Sequence, residues 1–457
     1  MIFINYRDIG VLALLVLGLW PGFLLAGSDF SVYSIYRNHL APQYNNVPEF
    51  SVVTTLKKAQ PIIHTIKSFI SEDVFEANKD LFVGHEYEDN WDLNIDEPAA
   101  VSILVSGIIE YTENTNSSRI FLSPLDGTRY TWDYFISKYI LKDLAERQLR
   151  FYINIANSLL LYDPEIQLFG YFYAGYNHLE YQPIELPSNL YFVVTRYNQF
   201  DQTEYLGHPY TVGSYKSFRE TLSNFVAINP GKVVVFEYYW KLRWLGAVWP
   251  IYSRVYSDNK HYLQEEIYGV ISQGRDIDRQ NVLDELIYYV AHQSSFTEKS
   301  FQAIIHQFSS IVLPGIPQGL LEDLIVELEN IFFITGDING RRHYDICRVY
   351  DGNMDSLLNL VGLIVDAARH SNDVAKANAT NIKLHIQYTY KLVEICREDQ
   401  LEEQRKMIDD LKFRIASSKN EMYFSSEQFP LYLDNYYREK TFIEKVFTLF
   451  EVMYEDK

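Results

Sequence analysis

The chain has 457 residues and a formal net charge of -20 at pH 7. This length allows about two or three domains with ordinary hydrophobic cores, so a small scaffold held together by metals or disulfides is excluded. The negative charge opposes a phosphate backbone, and nucleic acid is therefore not an expected partner. Hydrophobic residues make up 47% of the chain and charged residues 22%, so it is expected to fold as a globular protein.

An apolar segment at residues 9–26 is the first recognisable element. It contains no charged residue and is about as long as the roughly eighteen residues that a membrane-spanning helix needs. Arg7 precedes it, which favours an orientation with the rest of the chain outside the cytoplasm. The small residues Ala26, Gly27 and Ser28 suit signal-peptide cleavage. Residues 1–28 are thus predicted to be either a cleaved signal peptide or a retained membrane anchor.

The region 29–290 is predicted to be a mixed α+β ligand-binding or sensory region. Apolar spacing predicts long helices at 49–76 and 133–162, separated by an acidic loop at 84–98. Residues 101–111 and 119–123 are rich in Val and Ile around a polar turn and are interpreted as a β-hairpin. Strands separated by turn residues then predict an antiparallel sheet, with strands at 168–173, 190–196, 232–240, 247–254 and 267–272.

After residue 278 the pattern changes to apolar residues at every third or fourth position. This spacing predicts helices, so residues 291–457 are expected to form an all-helical region. Further helices are predicted at 356–370, 375–396, 401–416 and 442–453. The predicted fold class is therefore α+β, with an N-terminal apolar helix, an antiparallel-sheet region with long helices, and a helical C-terminal region.

Known catalytic and cofactor motifs are absent from the sequence, including the nucleophile elbow, the phosphate-binding loop and the dinucleotide fingerprint. Asp92, Asn94 and Asp96 resemble the start of a calcium loop, but the chain lacks the turn glycine and the final carboxylate that such a loop needs. No cofactor and no metal are expected. Cys347 and Cys396 are the only cysteines, and whether they form a disulfide is left open.

Glu237 is the most informative candidate residue, because it follows the apolar run Val-Val-Val-Phe at 233–236. A carboxylate in such a strand is unfavourable unless it points to water, to a cation or to a ligand. Arg196 ends another apolar strand and is a candidate counter-ion, while a solvated strand face is the alternative. A pocket for a small polar ligand is predicted, with Arg196, Tyr210, Glu237, Trp249 and Tyr252 as its binding residues.

Three short motifs resemble the closing strands of periplasmic Cache, or PAS-like, sensory domains. They are Trp-Pro-Ile-Tyr-Ser at 249–253, Ile-Tyr-Gly-Val-Ile at 267–271 and Asp-Ile-Asp at 276–278, and the resemblance covers residues 48–286. It implies a PAS-like sheet that binds a ligand. No second membrane span is predicted, so signalling is expected to require another membrane or extracytoplasmic protein.

These observations lead to the expectation of an extracytoplasmic ligand-binding or sensory-accessory protein without catalytic activity. It would be periplasmic or secreted, with its N-terminal segment either cleaved or retained as a membrane anchor. One alternative is an extracytoplasmic helical protein for protein interaction or structure. Another is a secreted enzyme like a glycoside hydrolase, with its two carboxyl groups among Asp126, Asp133, Glu180 and Glu237.

Overall fold

A computed structural model of the chain describes residues 31–34, 65–83, 92–123, 141–172, 179, 184–196, 218–237, 247–272, 281–291, 299–334, 350, 354–398 and 401–417. The apolar segment 9–26, Tyr210, Cys347 and the predicted helix 442–453 lie outside these residues, so what was predicted of them stays a prediction. Among the helices that are described, none is both long and apolar enough to cross a membrane.

The centre of the fold is a parallel sheet of six strands in the order β1-β8-β7-β6-β5-β4. Strands β4 to β8 are neighbours in the same order as in the sequence and form a parallel half-barrel. A separate antiparallel pair joins β2 to β3. The strands are β1 Ser31–Ser34, β2 Phe82–Val83, β3 Asp92–Leu93, β4 Arg119–Leu122, β5 Gln167–Phe172, β6 Leu190–Thr195, β7 Val233–Glu237 and β8 Gly269–Ser272.

The expected PAS-like antiparallel sheet is therefore wrong, and so is the fold that the Cache resemblance implied. Four of the predicted strands are present, as β5 to β8, but they run parallel. Parallel neighbours need a crossover between them, and among the described residues helices supply it between β4 and β5, between β6 and β7 and between β7 and β8. Two of these helices, at 218–228 and 252–264, were not recognised in the sequence, and without them the strands looked like a meander.

Helices make up most of the rest of the described chain. Their bounds are α1 Glu72–Ala77, α2 Pro98–Thr115, α3 Leu141–Tyr162, α4 Phe218–Ile228, α5 Tyr252–Gln264, α6 Val282–Ala291, α7 Phe301–Val312, α8 Gln318–Ile334, α9 Met354–Ala368, α10 Asp373–Arg397 and α11 Leu401–Ser417. The predicted helices at 356–370, 375–396 and 401–416 correspond to α9, α10 and α11 and are confirmed.

Three local predictions within residues 29–290 are wrong. Residues 101–111 belong to the helix α2, which begins at Pro98 and ends at the left-handed Asn116, although residue 119 does begin a strand. Residues 247–254 lead into the helix α5 instead of forming a strand. Within the described part of 49–76, two short helical segments replace the expected long helix. In α2, the buried residues Leu104 and Ile108 are four positions apart and join the main core, so the apolar residues here follow helical spacing.

The two faces of the half-barrel bury different side chains. On the helix-covered face, alternate strand residues such as Leu168, Phe192 and Val235 join the main core. On the other face a row of rings crosses the strands: Phe169 stacks on Phe121 at 4.6 Å and on Tyr191 at 4.7 Å between ring centroids. Because both faces are buried, the strands are continuously apolar, which is typical of parallel sheets.

The main core is continuous from Ile66 to Leu411 and includes residues of the sheet and of the later helices. Hydrogen bonds also join the two parts: the Thr389 hydroxyl accepts from the Val248 amide at 3.0 Å, and the Asn381 side chain accepts from the Val282 amide at 3.0 Å. The predicted division of the chain at residue 290 stays a prediction.

Two helix glycines give a matched test of the packing. A Cβ on Gly107 in α2 would lie 1.7 Å from the Phe69 carbonyl oxygen, whereas a Cβ on Gly362 in α9 would meet nothing within 4 Å. We expect Gly107→Ala to lower the free energy of unfolding by about 2 kcal/mol or more, because backbone must shift. Gly362→Ala should raise it by about 0.5–1 kcal/mol. Chemical denaturation measures both, and equal effects would contradict the packing of α2.

Candidate functional site

Arg196 and Glu237 lie side by side at the carboxyl ends of two neighbouring parallel strands. Thr195 of β6 pairs with Phe236 of β7, and the Arg196 amide donates to the Phe236 carbonyl at 3.0 Å. Both side chains extend toward the helix-covered face, where they meet α5. The structure thus brings together the two charged residues that the sequence singled out.

Helix α5 supplies three more members of a buried polar cluster. Arg196 Nη1 donates to Glu237 Oε1 at 3.1 Å and to Asp258 Oδ2 at 2.6 Å. The Tyr262 hydroxyl donates to the same Glu237 oxygen, and Arg254 Nε donates to Asp258 Oδ2 at 3.4 Å. We call these five residues the buried charge cluster. They tie α5 to strands β6 and β7.

Helical spacing puts the three α5 residues on one side of the helix. Arg254, Asp258 and Tyr262 are four residues apart, so they follow one another along one helix face. This Arg-x-x-x-Asp-x-x-x-Tyr pattern is visible in the sequence. It was missed because residues 247–254 were interpreted as a strand, which would have placed Arg254 in a different element.

Burial dominates the electrostatics of the cluster. Glu237 is 0% exposed and Arg196 and Arg254 are each 4% exposed. Burial raises the pKa of Glu237 despite the neighbouring Arg196, and burial lowers the pKa of the Arg254 guanidinium. The Arg196 guanidinium also lies over the Phe218 ring, with 5.1 Å to the centroid. Two basic and two acidic groups share a site that excludes water, so each depends on the others.

One oxygen of the cluster, Glu237 Oε2, takes part in none of these hydrogen bonds. Glu237 Oε1 accepts from both Arg196 and Tyr262, but Oε2 is buried and has no hydrogen-bond partner within the described part of the chain. Buried polar atoms in proteins are nearly always hydrogen-bonded, and an exception needs a physical explanation. A group that donates a hydrogen bond to Oε2 would complete the carboxyl group.

Tyr252 and Trp249 do not belong to this cluster. Tyr252 is two residues before Arg254 on α5, and residues so spaced point to nearly opposite sides of a helix. Burial raises the pKa of Tyr252 well above its usual value, and Asp284, Tyr350 and Glu329 add to the effect. Trp249 is buried in the main core before α5 begins. Arg196 and Glu237 therefore lie in the buried charge cluster, whereas Trp249 and Tyr252 lie in the main core. Tyr210 lies outside the described residues.

Glu329 of α8 is a second buried acidic residue, and it lies beside Tyr252. Its Oε1 accepts from the Ser253 amide at 2.6 Å, and the side chain is 9% exposed. Burial raises the pKa of Glu329 to about 7, against the lowering effect of its hydrogen bonds with Ser253 and Tyr252. Sequence reasoning missed this residue, because Glu329 is 76 positions away from Ser253 in the chain.

The described residues offer no metal site, and they do not test the hydrolase alternative. Within them, no group of three His, Cys, Asp or Glu side chains could hold a metal ion. Asp96 of the acidic loop forms an ion pair with Arg147. Asp126, Asp133 and Glu180 lie outside the described residues, so the hydrolase alternative stays a hypothesis. Glu237 and its carboxyl neighbour Asp258 both contact Arg196.

Comparison with protein-family models gives no match for the chain, and comparison with the curated proteins gives none either. The geometry of the described residues is therefore what bears on function.

Two tyrosine-to-glutamate hydrogen bonds, one buried and one exposed, test how much burial increases the contribution of such a bond to stability. Tyr262 donates to the buried Glu237, and Tyr162 donates at 2.6 Å to Glu113 at an exposed site. We expect Tyr262→Phe to lower the free energy of unfolding by about 1.5–3 kcal/mol, since it removes a hydrogen bond to a buried acidic group. Tyr162→Phe should leave it almost unchanged, because water replaces the lost hydrogen bond at an exposed site. Similar losses in urea denaturation would contradict the burial of the cluster.

Proposed function

We propose that the chain is a ligand-binding protein whose site lies at the carboxyl edge of the parallel sheet, beside the buried charge cluster. The observation that carries this proposal is the Glu237 carboxyl group. It is fully buried, it ends a central strand, and its Oε2 has no hydrogen-bond partner among the described residues. The proposed ligand is small and polar and donates a hydrogen bond to this oxygen.

The sheet topology supports this location. In parallel α/β sheets and barrels, ligands bind at the carboxyl ends of the strands, where the strand-to-helix connections converge. Arg196 follows the last residue of β6, and Glu237 is the last residue of β7. The two residues therefore lie at the edge where this fold class binds ligands. This support comes from the fold class and is an analogy.

The charge of the protein favours one class of donor. The net charge of -20 attracts cations to the surface, and a buried carboxyl group with a raised pKa gains most from a cationic partner. Primary amines and amidines are both donors and cations, so they are the first ligand class to test. Sugars and amino acids also carry donors and follow as the second class.

The sensory role, the location, the membrane attachment and the partner protein expected from the sequence rest on other observations. The sensory interpretation depended on a PAS-like sheet, and the parallel half-barrel removes that basis. An extracytoplasmic location and a membrane attachment rest on the N-terminal sequence, and a partner protein was inferred from the sensory interpretation without a second predicted membrane span. All three stay predictions. The proposal of binding does not depend on them.

Thermal unfolding of the chain against a library of amines, amino acids, sugars and organic acids tests the proposal. A ligand present at about 100 times its dissociation constant stabilises the fold by about 2.7 kcal/mol. We expect at least one donor-bearing compound to raise the Tm, and Glu237→Gln to weaken this effect at least tenfold in concentration. The matched control is Asp323→Asn, an exposed acid on α8, which should leave the shift unchanged.

If no compound raises the Tm, or if the shift persists undiminished in Glu237→Gln, the proposed site is wrong. A shift that is lost equally in Asp323→Asn would indicate attraction by the general negative charge instead of a specific site.

The pH dependence of binding gives a further prediction. Because burial raises the pKa of Glu237, the free protein retains a proton on this carboxyl to a higher pH than usual. A cationic ligand binds the ionised carboxylate, so binding should release a proton and become tighter as the pH rises through the pKa of Glu237. Calorimetry in two buffers of different ionisation enthalpy measures this release. Proton uptake on amine binding would contradict the assignment.

A further inference from the structure

The N-terminus of α5 is capped by a residue from a different helix. The first amides of a helix lack partners within the helix and need acceptors. Ile251 precedes α5 and its side chain makes no capping hydrogen bond. Glu329 of α8 provides the acceptor, because it takes hydrogen bonds from the backbone of Tyr252 and Ser253 and from the Ser253 side chain. The helix dipole and these hydrogen bonds favour the ionised carboxylate, but burial opposes them and has the larger effect on the pKa of Glu329.

The same helix carries three of the five residues of the buried charge cluster. Arg254 follows directly after the capped residues, and Asp258 and Tyr262 lie one and two turns further along. A change in the position of the N-terminus of α5 would therefore be transmitted to the hydrogen bonds of Asp258 with Arg196 and of Tyr262 with Glu237. A helix moves largely as a rigid element, which makes it a physical connection between the two sites.

We propose that Glu329 is a positioning residue that holds the N-terminus of α5 and thereby sets the geometry of the buried charge cluster, so that both respond to pH together. This inference rests on the proposed binding site for its functional meaning, since it assigns that site a regulatory residue. Its structural content, a coupling between Glu329 and the cluster, is testable without any ligand.

The protonation behaviour of Glu329 supports the inference. Burial raises its pKa to about 7, from an ordinary value of 4.5. Glu329 contacts the backbone of Tyr252 on α5, and Tyr252 in turn interacts with Asp284 on α6 and with Tyr350. Neither tyrosine ionises near neutral pH, because burial raises the pKa of both. A raised pKa means that proton binding stabilises the fold fully below pH 4.5, and this contribution is lost as the pH rises through about 7.

Two measurements on the full chain test the pH response. The first is the unfolding equilibrium of wild type and Glu329→Gln between pH 4.5 and 8, with Asp323→Asn as the exposed control on the same helix. Glutamine is neutral at every pH, so the variant should become more stable than wild type as the pH rises, by on the order of 100-fold in the unfolding constant. A ratio that stays constant across this range would overturn the pH response.

The second measurement is hydrogen exchange of a peptide that covers α5. Relative to the intrinsic exchange rate, protection in wild type should fall as the pH rises from 5 to 8, because the ionised Glu329 carboxylate is poorly accommodated in its buried position. Protection in Glu329→Gln should stay constant over the same range. Equal pH profiles for the two proteins would contradict a role of Glu329 at this helix.

A double-mutant cycle distinguishes a positioning residue from a local cap. Tyr262→Phe perturbs the cluster, and Glu329→Gln perturbs the cap more than two helical turns away along α5. Distant, independent mutations are additive, whereas coupled ones are not. We expect the combined change in the unfolding constant at pH 8 to differ at least fivefold from the product of the single changes. Additivity would reduce Glu329 to a local cap and would leave the proposed ligand site untouched, because that site is tested by the thermal shifts.

Discussion

The removal of the Glu237 carboxyl group from water is the constraint on which this structure depends. An acidic group that is 0% exposed cannot keep its charge without partners, and isolating it would be strongly unfavourable. The fold supplies Arg196 from the neighbouring strand and Tyr262 from the crossing helix. Those partners are available only if β6 and β7 are parallel neighbours in the observed register and α5 covers them. The burial of the Glu237 carboxyl group therefore depends on the order and direction of the strands.

Helix α5 connects the sheet with the later helices. One side of it contributes to the buried charge cluster, and its N-terminus is held by Glu329 of α8. Buried ion pairs add little net stability, because the desolvation of both charges offsets their attraction. Their effect is on specificity: a displaced α5 would leave several charged groups unpaired at once. A binding site at the carboxyl edge of the sheet would gain a rigid wall from this arrangement.

The sequence predicted part of this account and missed part for identifiable reasons. The apolar runs that precede Arg196 and Glu237 predicted two strands and identified the two charges as unusual, and the structure brings these charges into contact. The strand direction was missed because the helices at 218–228 and 252–264 were not recognised, although continuous apolar runs are typical of parallel strands. The motif at 249–253 resembled a strand of a sensory domain, yet Tyr252 begins α5. Glu329 could not be found at all, since a cap supplied from 76 residues away leaves no local signal.

The most direct test of the central claim is a double-mutant cycle between Arg196 and Glu237 in denaturant unfolding. Arg196→Met and Glu237→Leu each leave the other group buried without its main partner, and each should lower the free energy of unfolding by about 3–5 kcal/mol. If the pair is buried as described, the double variant should lose far less than the sum, with a coupling energy of about 2 kcal/mol or more. Additive losses would mean that the two side chains do not meet, and would contradict the register of β6 and β7 together with the site built on it.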